Sequence, residues 1–415
     1  MKIGINGRFL VAKQTGVQRA AFNLVRTLVE LDRLNEYVLF TGYSQVDNPL
    51  WDYPNVQVVP SSLKEGESFR NHLWEQFTLP RLAQRHGVDI LHSPANMAPM
   101  FYDGPSIVHI HDLCFVVNPQ WYSFLFHTVY NLVIPRLARK ATRIITNSNN
   151  SRNDLLQFCR IPAGKVHLIY WAVDESFHPG TDSSVLGEAD FPEEGYILYV
   201  GSLEPRKNIG RLVEAYEELR DRHPDLRTKL ILIGGESPLF AHMRLKIKKY
   251  SEDVIFKGYV DEKTLREYYR RAMVVAYPSL YEGFGLPPLE AMACGAPVVT
   301  SNTSSIPEVV GDAALMVSPY DTRQLADTLA RVLQDEKLRR HLAVKGLDQV
   351  KKFNWYRVAR NLLGVYYEIC GGVGMNPSSG PETYLPFPLW KKLTEIEKNK
   401  MQELHGQDPV DPGLS

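Results

Sequence analysis

The sequence predicts an α/β fold of two doubly wound domains facing across a cleft, and three observations predict it. Apolar runs of strand length alternate with helical periodicity from end to end, and such alternation builds parallel sheets with helices on both faces. A turn-rich stretch, Pro179-Gly180-Thr181-Asp182-Ser183-Ser184 and then Pro192-Glu193-Glu194-Gly195, splits the alternation into halves. The chain has 415 residues, which favours two domains, and a hydrophobic content of 44% supplies a sizeable core.

The elements follow in order. Lys2–Asn6 enters a strand directly, with no signal-peptide pattern before it. Val17–Leu31 then carries apolar residues at helical spacing. Further strands are expected at Tyr37–Thr41, Val56–Val59, Ile90–His92, Ser106–His111, Arg143–Asn147 and Lys165–Ile169, with a helix at Leu73–Arg85. The second half repeats the scheme with strands Tyr196–Gly201, Lys229–Ile233, Val254–Lys257, Val274–Tyr277, Pro297–Thr300 and Leu315–Val317. Helices Ile209–Arg220, Glu262–Ala272 and Thr322–Gln334 separate them, and Leu289–Cys294 reads as a short helix closed by Gly295. The expected organisation is a first domain over 1–173, a linker over 174–195, a second domain over 196–353, a crossover helix over 354–370 and a tail over 371–415. Within the tail, Leu389–His405 has the charge pattern of a helix, and the Pro- and Gly-bearing end reads as loose.

Composition excludes some classes. Lys plus Arg and Asp plus Glu are both 47, so no global charge points to nucleic acid. Residues 1–173 carry 17 basic and 12 acidic side chains, a modest +5 that suits phosphates or an anionic membrane surface. Cys114, Cys159, Cys294 and Cys370 are scattered, without metal spacing or a disulfide framework, as in a reduced cytoplasmic protein. Leu113–Pro135 has no Asp, Glu, Lys or Arg and is rich in aromatics. It reads as a buried helix, with a lipid-touching surface or a membrane span as the alternatives.

Three constellations carry chemistry. In Ser202-Leu203-Glu204-Pro205-Arg206-Lys207-Asn208, a strand ends and a helix begins, with Asn208 as its N-cap. Arg206 and Lys207 then sit at the C-terminal edge of a sheet beside a helix N-terminus, where a diphosphate is well met; a solvated charge pair is the alternative. In Glu282-Gly283-Phe284-Gly285-Leu286-Pro287-Pro288-Leu289-Glu290, two carboxylates flank a glycine turn that leads into a helix. Glycines admit close backbone approach, and the exposed amides suit phosphate or sugar oxygens. Glu290 alone also reads as a first-turn acid. His109 and His111 share a strand face, with His111 at the cleft if the strand ends near Ile110; a lone loop histidine is commonly structural. Gly16, in Thr15-Gly16-Val17-Gln18-Arg19, opens the first helix as another amide-rich site. No Asp-x-Asp, Walker loop or Gly-x-Ser-x-Gly elbow occurs.

Together these residues resemble the family 4 (group 1) retaining glycosyltransferases of the GT-B fold, over about residues 1–370. Gly16, His111-Asp112-Leu113, Thr146-Asn147-Ser148, Gly201 to Asn208, Gly258-Tyr259-Val260 and Glu282…Glu290 occur in the family's order. The opening Ile5-Asn6-Gly7-Arg8-Phe9-Leu10 is similar to bacterial mannosyl- or rhamnosyltransferases of polysaccharide assembly. Trp171-Ala172-Val173-Asp174 departs from the usual Asn-Gly-Val-Asp, a change expected to affect linker shape. The resemblance implies two Rossmann-like domains and a C-terminal helix returning to the first. It implies that Arg206 and Lys207 hold the diphosphate without a metal or other cofactor, and that Glu290 accepts from the ribose. Glu282 and the amides of Phe284, Gly285 and Leu286 would hold the sugar, Tyr259 and Val260 would frame the base, and His111 would stand by the reacting sugar. The expected partners are a nucleotide-sugar donor and a glycan or lipid-linked acceptor, with peripheral membrane contact. The alternatives are a GT-B-like epimerase or phosphorylase, or a non-catalytic nucleotide-sugar-binding subunit.

Overall fold

The computed structural model describes residues 1–13, 15–48, 51–180, 191–235, 249–371, 391–396, 398–399 and 402. Residues 181–190 of the expected linker and most of the expected tail, including much of Leu389–His405, lie outside the described residues.

Two parallel sheets form where the alternation predicts them. The first takes β1 (Lys2–Asn6), β2 (Glu36–Gly42), β3 (Val56–Ser61), β4 (Ile90–Ser93), β5 (Ser106–His109), β6 (Arg143–Thr146) and β7 (Val166–Leu168), in the order β3-β2-β1-β4-β5-β6-β7. The second takes β8 (Tyr196–Val200), β9 (Lys229–Ile233), β10 (Val254–Gly258), β11 (Val274–Tyr277), β12 (Val298–Ser301) and β13 (Leu315–Val317), in the order β10-β9-β8-β11-β12-β13. Both follow the dinucleotide-fold order and reverse winding beside their first strand, between β1 and β4 and between β8 and β11. The central strands are buried along their length, Tyr196–Val200 without a break, as expected for sheets covered on both faces.

One apolar core runs through both sheets and into the helix Trp355–Gly371. That helix packs on Gly16–Leu31 of the first unit, with Leu362, Leu363, Val365 and Tyr366 fully buried. Tyr366 Oη lies 2.7 Å from His92 Nδ1, and Arg143 Nη2 lies 2.8 Å from Glu368 Oε1. Each such apolar side chain contributes about 1.5–3 kcal/mol, so the return of the helix to the first unit is a core feature.

Some boundaries differ from the sequence reading. β5 stops at His109, two residues short of the expected end: Ile110 N makes the last rung to Ile145 O of β6, and His111 N donates instead to Asn96 Oδ1 at 2.9 Å. The helix expected at Leu73–Arg85 starts at Ser68 and contains a π-helical turn, Trp74–Thr78. Leu113–Pro135 is not a buried helix. It breaks into a short turn of helix at Cys114–Val117 and a long helix, Phe124–Lys140, that buries Ile134, Leu137 and Ala138 and leaves Phe124, Leu125, Val129 and Leu132 exposed. Among the described residues, no helix is long and apolar enough to cross a membrane.

Candidate active site

The loops leaving β8 and β11 meet at the winding reversal of the second sheet. After β8, Pro205–Lys207 forms a single 3-10 turn, and Leu280 N of the β11 loop donates to Arg206 O at 2.8 Å. Asn208 begins the next helix in the left-handed region, at φ 60°. Its side chain does not cap that helix, contrary to the sequence reading. Nδ2 instead donates to Pro278 O at 3.0 Å and Pro319 O at 2.7 Å, tying three loops together.

The candidate charges form one cluster. Lys207 Nζ donates to Glu282 Oε1 at 2.6 Å and to Tyr277 Oη at 2.7 Å. Arg206 Nη1 donates to Glu282 Oε2 at 3.0 Å, and its Nε to Glu204 Oε2 at 2.8 Å. Lys207 and Glu282 are buried, so Lys207 is not the solvated loop charge that was the alternative. Burial alone would raise the Glu282 carboxyl, but Lys207 and Arg206 outweigh it and hold it at about 2. The two cations meet two carboxylates, buried Glu282 and half-exposed Glu204, and the charge of Asp112 also acts on Arg206.

The glycine turn is held against the first unit. A Cβ on Gly283 would stand 2.7 Å from His111 O and 3.0 Å from Asp112 Oδ2, so only glycine fits there. Ser151 Oγ donates to His111 O at 2.8 Å and lies 3.3 Å from Gly283 O, and Asn147, with its amide turned to donate, does the same at equal distances. Ser305 Oγ donates to Glu282 O at 2.9 Å and Phe284 O at 2.8 Å, and Glu282 N donates to Ser304 Oγ at 2.9 Å. Gly285 has φ 113° and lies against Ile306, and Leu286 starts the helix Leu286–Ala293.

His111 sits directly across this turn. Its Nε2 lies 3.2 Å from Pro94 O, which can only accept, so the ring is protonated there. Nδ1 is buried without a hydrogen-bond partner among the described residues, and the ring packs at 4.4 Å on Trp171. Burial lowers the ring to about 3. It is neutral at ordinary pH, which leaves hydrogen bonding through Nδ1 as its chemistry. Trp171, expected to matter for linker shape, also packs on Phe284 at 6.0 Å and so joins the site.

Glu290 is not in the first turn of its helix; it is the fifth of eight residues. Arg19 Nη2 of the first unit donates to its Oε1 at 3.0 Å and Tyr269 Oη to its Oε2 at 2.9 Å. A cavity of about 470 Å³ between the units borders Arg19, Arg26, Glu262, Arg266, Leu286 and Glu290. Gly16 faces Leu286, at 3.4 Å from a built Cβ. Tyr259 and Val260 follow β10 on the same edge, with Tyr259 exposed under Lys13 Nζ at 5.1 Å. The structure therefore brings Arg206, Lys207, Glu282, Gly283 and His111 into contact range, and sets Glu290 with Arg19 further along the cleft. Sequence reasoning gave no role to Arg19, Asp112, Tyr269 or Tyr277. Asp112 and Arg19 stood inside quoted motifs, but their partners are distant in sequence. Among the described residues, no group of three His, Cys, Asp or Glu side chains is spaced for a metal ion.

The chain as a whole is similar to known proteins. Residues 14–177 match the family described as Glycosyltransferase Family 4, and residues 188–348 match Glycosyl transferases group 1. The chain is 30% identical over 379 residues to the O-antigen chain mannosyltransferase B of Escherichia coli, covering 85% of this chain and 96% of that one. It is similar in structure to sucrose-phosphate synthase from Thermosynechococcus elongatus, with TM-score 0.72, 22% identity and coverage of 90% and 99%. It is also similar to Anabaena HepE in complex with UDP and glucose, with TM-score 0.65, 19% identity and coverage of 88% and 99%.

Proposed function

The chain belongs to the family 4 (group 1) glycosyltransferases and has their GT-B fold, and from that premise we propose that it moves a hexose from a nucleotide diphospho-sugar to a glycan or lipid-linked acceptor, with retention at the anomeric carbon. The observation that carries the reading is the buried Arg206–Lys207–Glu282 cluster facing His111 across the glycine turn. Its two cations suit a leaving diphosphate, and fixed cations in a water-poor site stabilise developing charge strongly. No metal is needed for that step. Glu282 orients the two cations and accepts from donor-sugar hydroxyls, while His111 Nδ1 accepts from the reacting sugar. Glu290 receives the ribose once Arg19 yields. Tyr259 and Val260 frame the base. Departure and attack then take place on one face of the sugar, since both oxygens of Glu282 are held by Lys207 and Arg206 and so do not serve as a nucleophile.

Mannose from GDP-mannose, and a place in cell-surface polysaccharide assembly, are the specific expectations, since a relative matched over 96% of its length is a mannosyltransferase of O-antigen chains. The reaction belongs in the cytoplasm. Exposed Phe124, Leu125, Val129 and Leu132, followed by Arg136, Arg139 and Lys140, favour contact with an anionic membrane surface. Thermal-shift screening of nucleotide sugars identifies the donor, because a bound ligand raises the melting point by mass action. With that donor, Arg206→Gln and Lys207→Met should each lower kcat/KM by about 100-fold or more. Full activity in either variant contradicts the assignment.

A further inference from the structure

The first sheet has the same strand order as the second, and its own winding reversal lies between β1 and β4. Open α/β sheets bind ligands at such points, and a built polar cluster occupies this one. Asn6, at the end of β1, donates from Nδ2 to Glu75 Oε1 at 2.7 Å and to Ser93 Oγ, at the end of β4, at 3.2 Å. Arg8 Nε lies 3.4 Å from the same Glu75 oxygen, and Arg8 Nη1 lies 2.7 Å from His72 Nδ1. Glu75 is 1% exposed, yet its other oxygen, Oε2, has no hydrogen-bond partner among the described residues. His72 Nδ1 stands 3.7 Å from Oε2, beyond hydrogen-bond length, and already takes the Arg8 proton. Leaving such an atom unmet costs about 1–3 kcal/mol. Glu75 also belongs to the π-helical turn Trp74–Thr78, and such turns frequently mark functional sites.

The cluster adjoins the transfer site. Ser93 precedes Pro94, whose carbonyl receives His111 Nε2 at 3.2 Å. Gln76, next to Glu75, donates to Ala98 O at 3.2 Å and accepts from Met100 N at 2.7 Å, and Tyr130 of the helix Phe124–Lys140 packs in the same apolar cluster as Met97, Ala98 and Met100. From Tyr130 an aromatic ladder runs outward, with Phe126 stacked at 4.1 Å and Tyr122 beyond it at 5.3 Å. Flat apolar rings beside a hydrogen-bond acceptor match a sugar, which offers both an apolar ring face and hydroxyl donors.

We propose that this cluster is an acceptor subsite, in which Glu75 Oε2 accepts a hydrogen bond from a hydroxyl of an acceptor glycan lying against Tyr122, Phe126 and Tyr130. Arg8 and His72, with side chains 20% and 33% exposed, cover that oxygen and swing aside when the acceptor enters. The inference rests on the transferase reading above, and it makes Glu75 a positioning and specificity residue that leaves the sugar donor alone.

The test uses the full chain, the nucleotide sugar found by thermal shift, and a panel of methyl hexosides and disaccharides as acceptor probes. Glu75→Gln keeps the oxygen that Asn6 and Arg8 need, and turns the free acceptor into an N–H donor. It should raise the acceptor KM by about tenfold, the worth of one hydrogen bond, with the sugar-donor KM and the slow hydrolysis of the nucleotide sugar unchanged. Phe126→Ala, on an exposed face, should raise the acceptor KM in the same direction and tests the subsite even if Glu75→Gln misfolds. An unchanged acceptor KM in Phe126→Ala, or in folded Glu75→Gln, overturns the subsite. A wild-type chain that turns over no nucleotide sugar overturns the transferase reading itself, and this inference with it.

Discussion

Glu282 keeps its charge because two cations outweigh its burial. Lys207 is equally committed, so removing one partner of this buried pair strands the other at a cost of about 3–5 kcal/mol. Lys207→Met should therefore lower the melting point, and the double variant Lys207→Met, Glu282→Gln should recover much of that loss without recovering transfer. Thermal melts and a transfer assay on the three proteins check this; activity returning with stability would contradict the functional role. The histidines give a pH prediction. His92 and His111 are lowered to about 3 by burial, and His109 is lowered too. Between pH 6.5 and 3 the unfolded chain binds protons on these rings that the folded chain refuses, so stability is full above pH 6.5 and falls on acidification. The slope is about 1.4 kcal/mol per pH unit for each ring, read as a falling denaturation midpoint from pH 7 to pH 5. A midpoint that holds steady over that range contradicts burial of neutral rings. Arg206, Lys207, Glu282 and His111 were legible because each stands at a strand end. Arg19 was not, since its partner Glu290 is 271 positions away and no local period reports such a contact.

At the scale of elements, the glycine turn decides how closely the two units approach. Gly283→Ala places a methyl group 2.7 Å from a backbone oxygen that cannot retreat. It should cut kcat/KM by at least tenfold through a displaced loop while each unit keeps its own fold, as a misplacement of about 1 Å costs on the order of 100-fold. Kinetics with far-ultraviolet circular dichroism would show this, and wild-type kinetics would sink the close-approach account. Strand positions were readable because every central strand is a short apolar run with turn residues on both sides. The π-helical turn was not, because one inserted residue in Trp74–Thr78 leaves the apolar spacing nearly intact. The exposed helix Phe124–Lys140 was misjudged for a related reason: apolar composition alone does not say whether a face meets protein or solvent.

For the whole molecule, the units are joined by specific polar contacts around the cleft. Glu308 of the second unit accepts from Asn149 N at 2.8 Å, Asn150 N at 3.1 Å and Tyr170 Oη at 3.0 Å, and so caps a helix of the first. Glu308→Ala should cost about 0.5–2 kcal/mol, as cap removal does, and shift the cleft toward open, seen as a larger radius of gyration in solution scattering. An unchanged radius would leave closure independent of this cap. Arg143–Glu368 ties the closing helix to the first unit, and Arg19–Glu290 and the Gly283 turn join the units at the cleft. The most direct measurement of the central claim is single-turnover transfer by Arg206→Gln with the nucleotide sugar saturating. Arg206 is the less buried of the two cations, so the variant should fold, bind the nucleotide sugar more weakly and transfer at least about 100-fold more slowly. Transfer at the wild-type rate would contradict the assignment of this cluster to the leaving diphosphate.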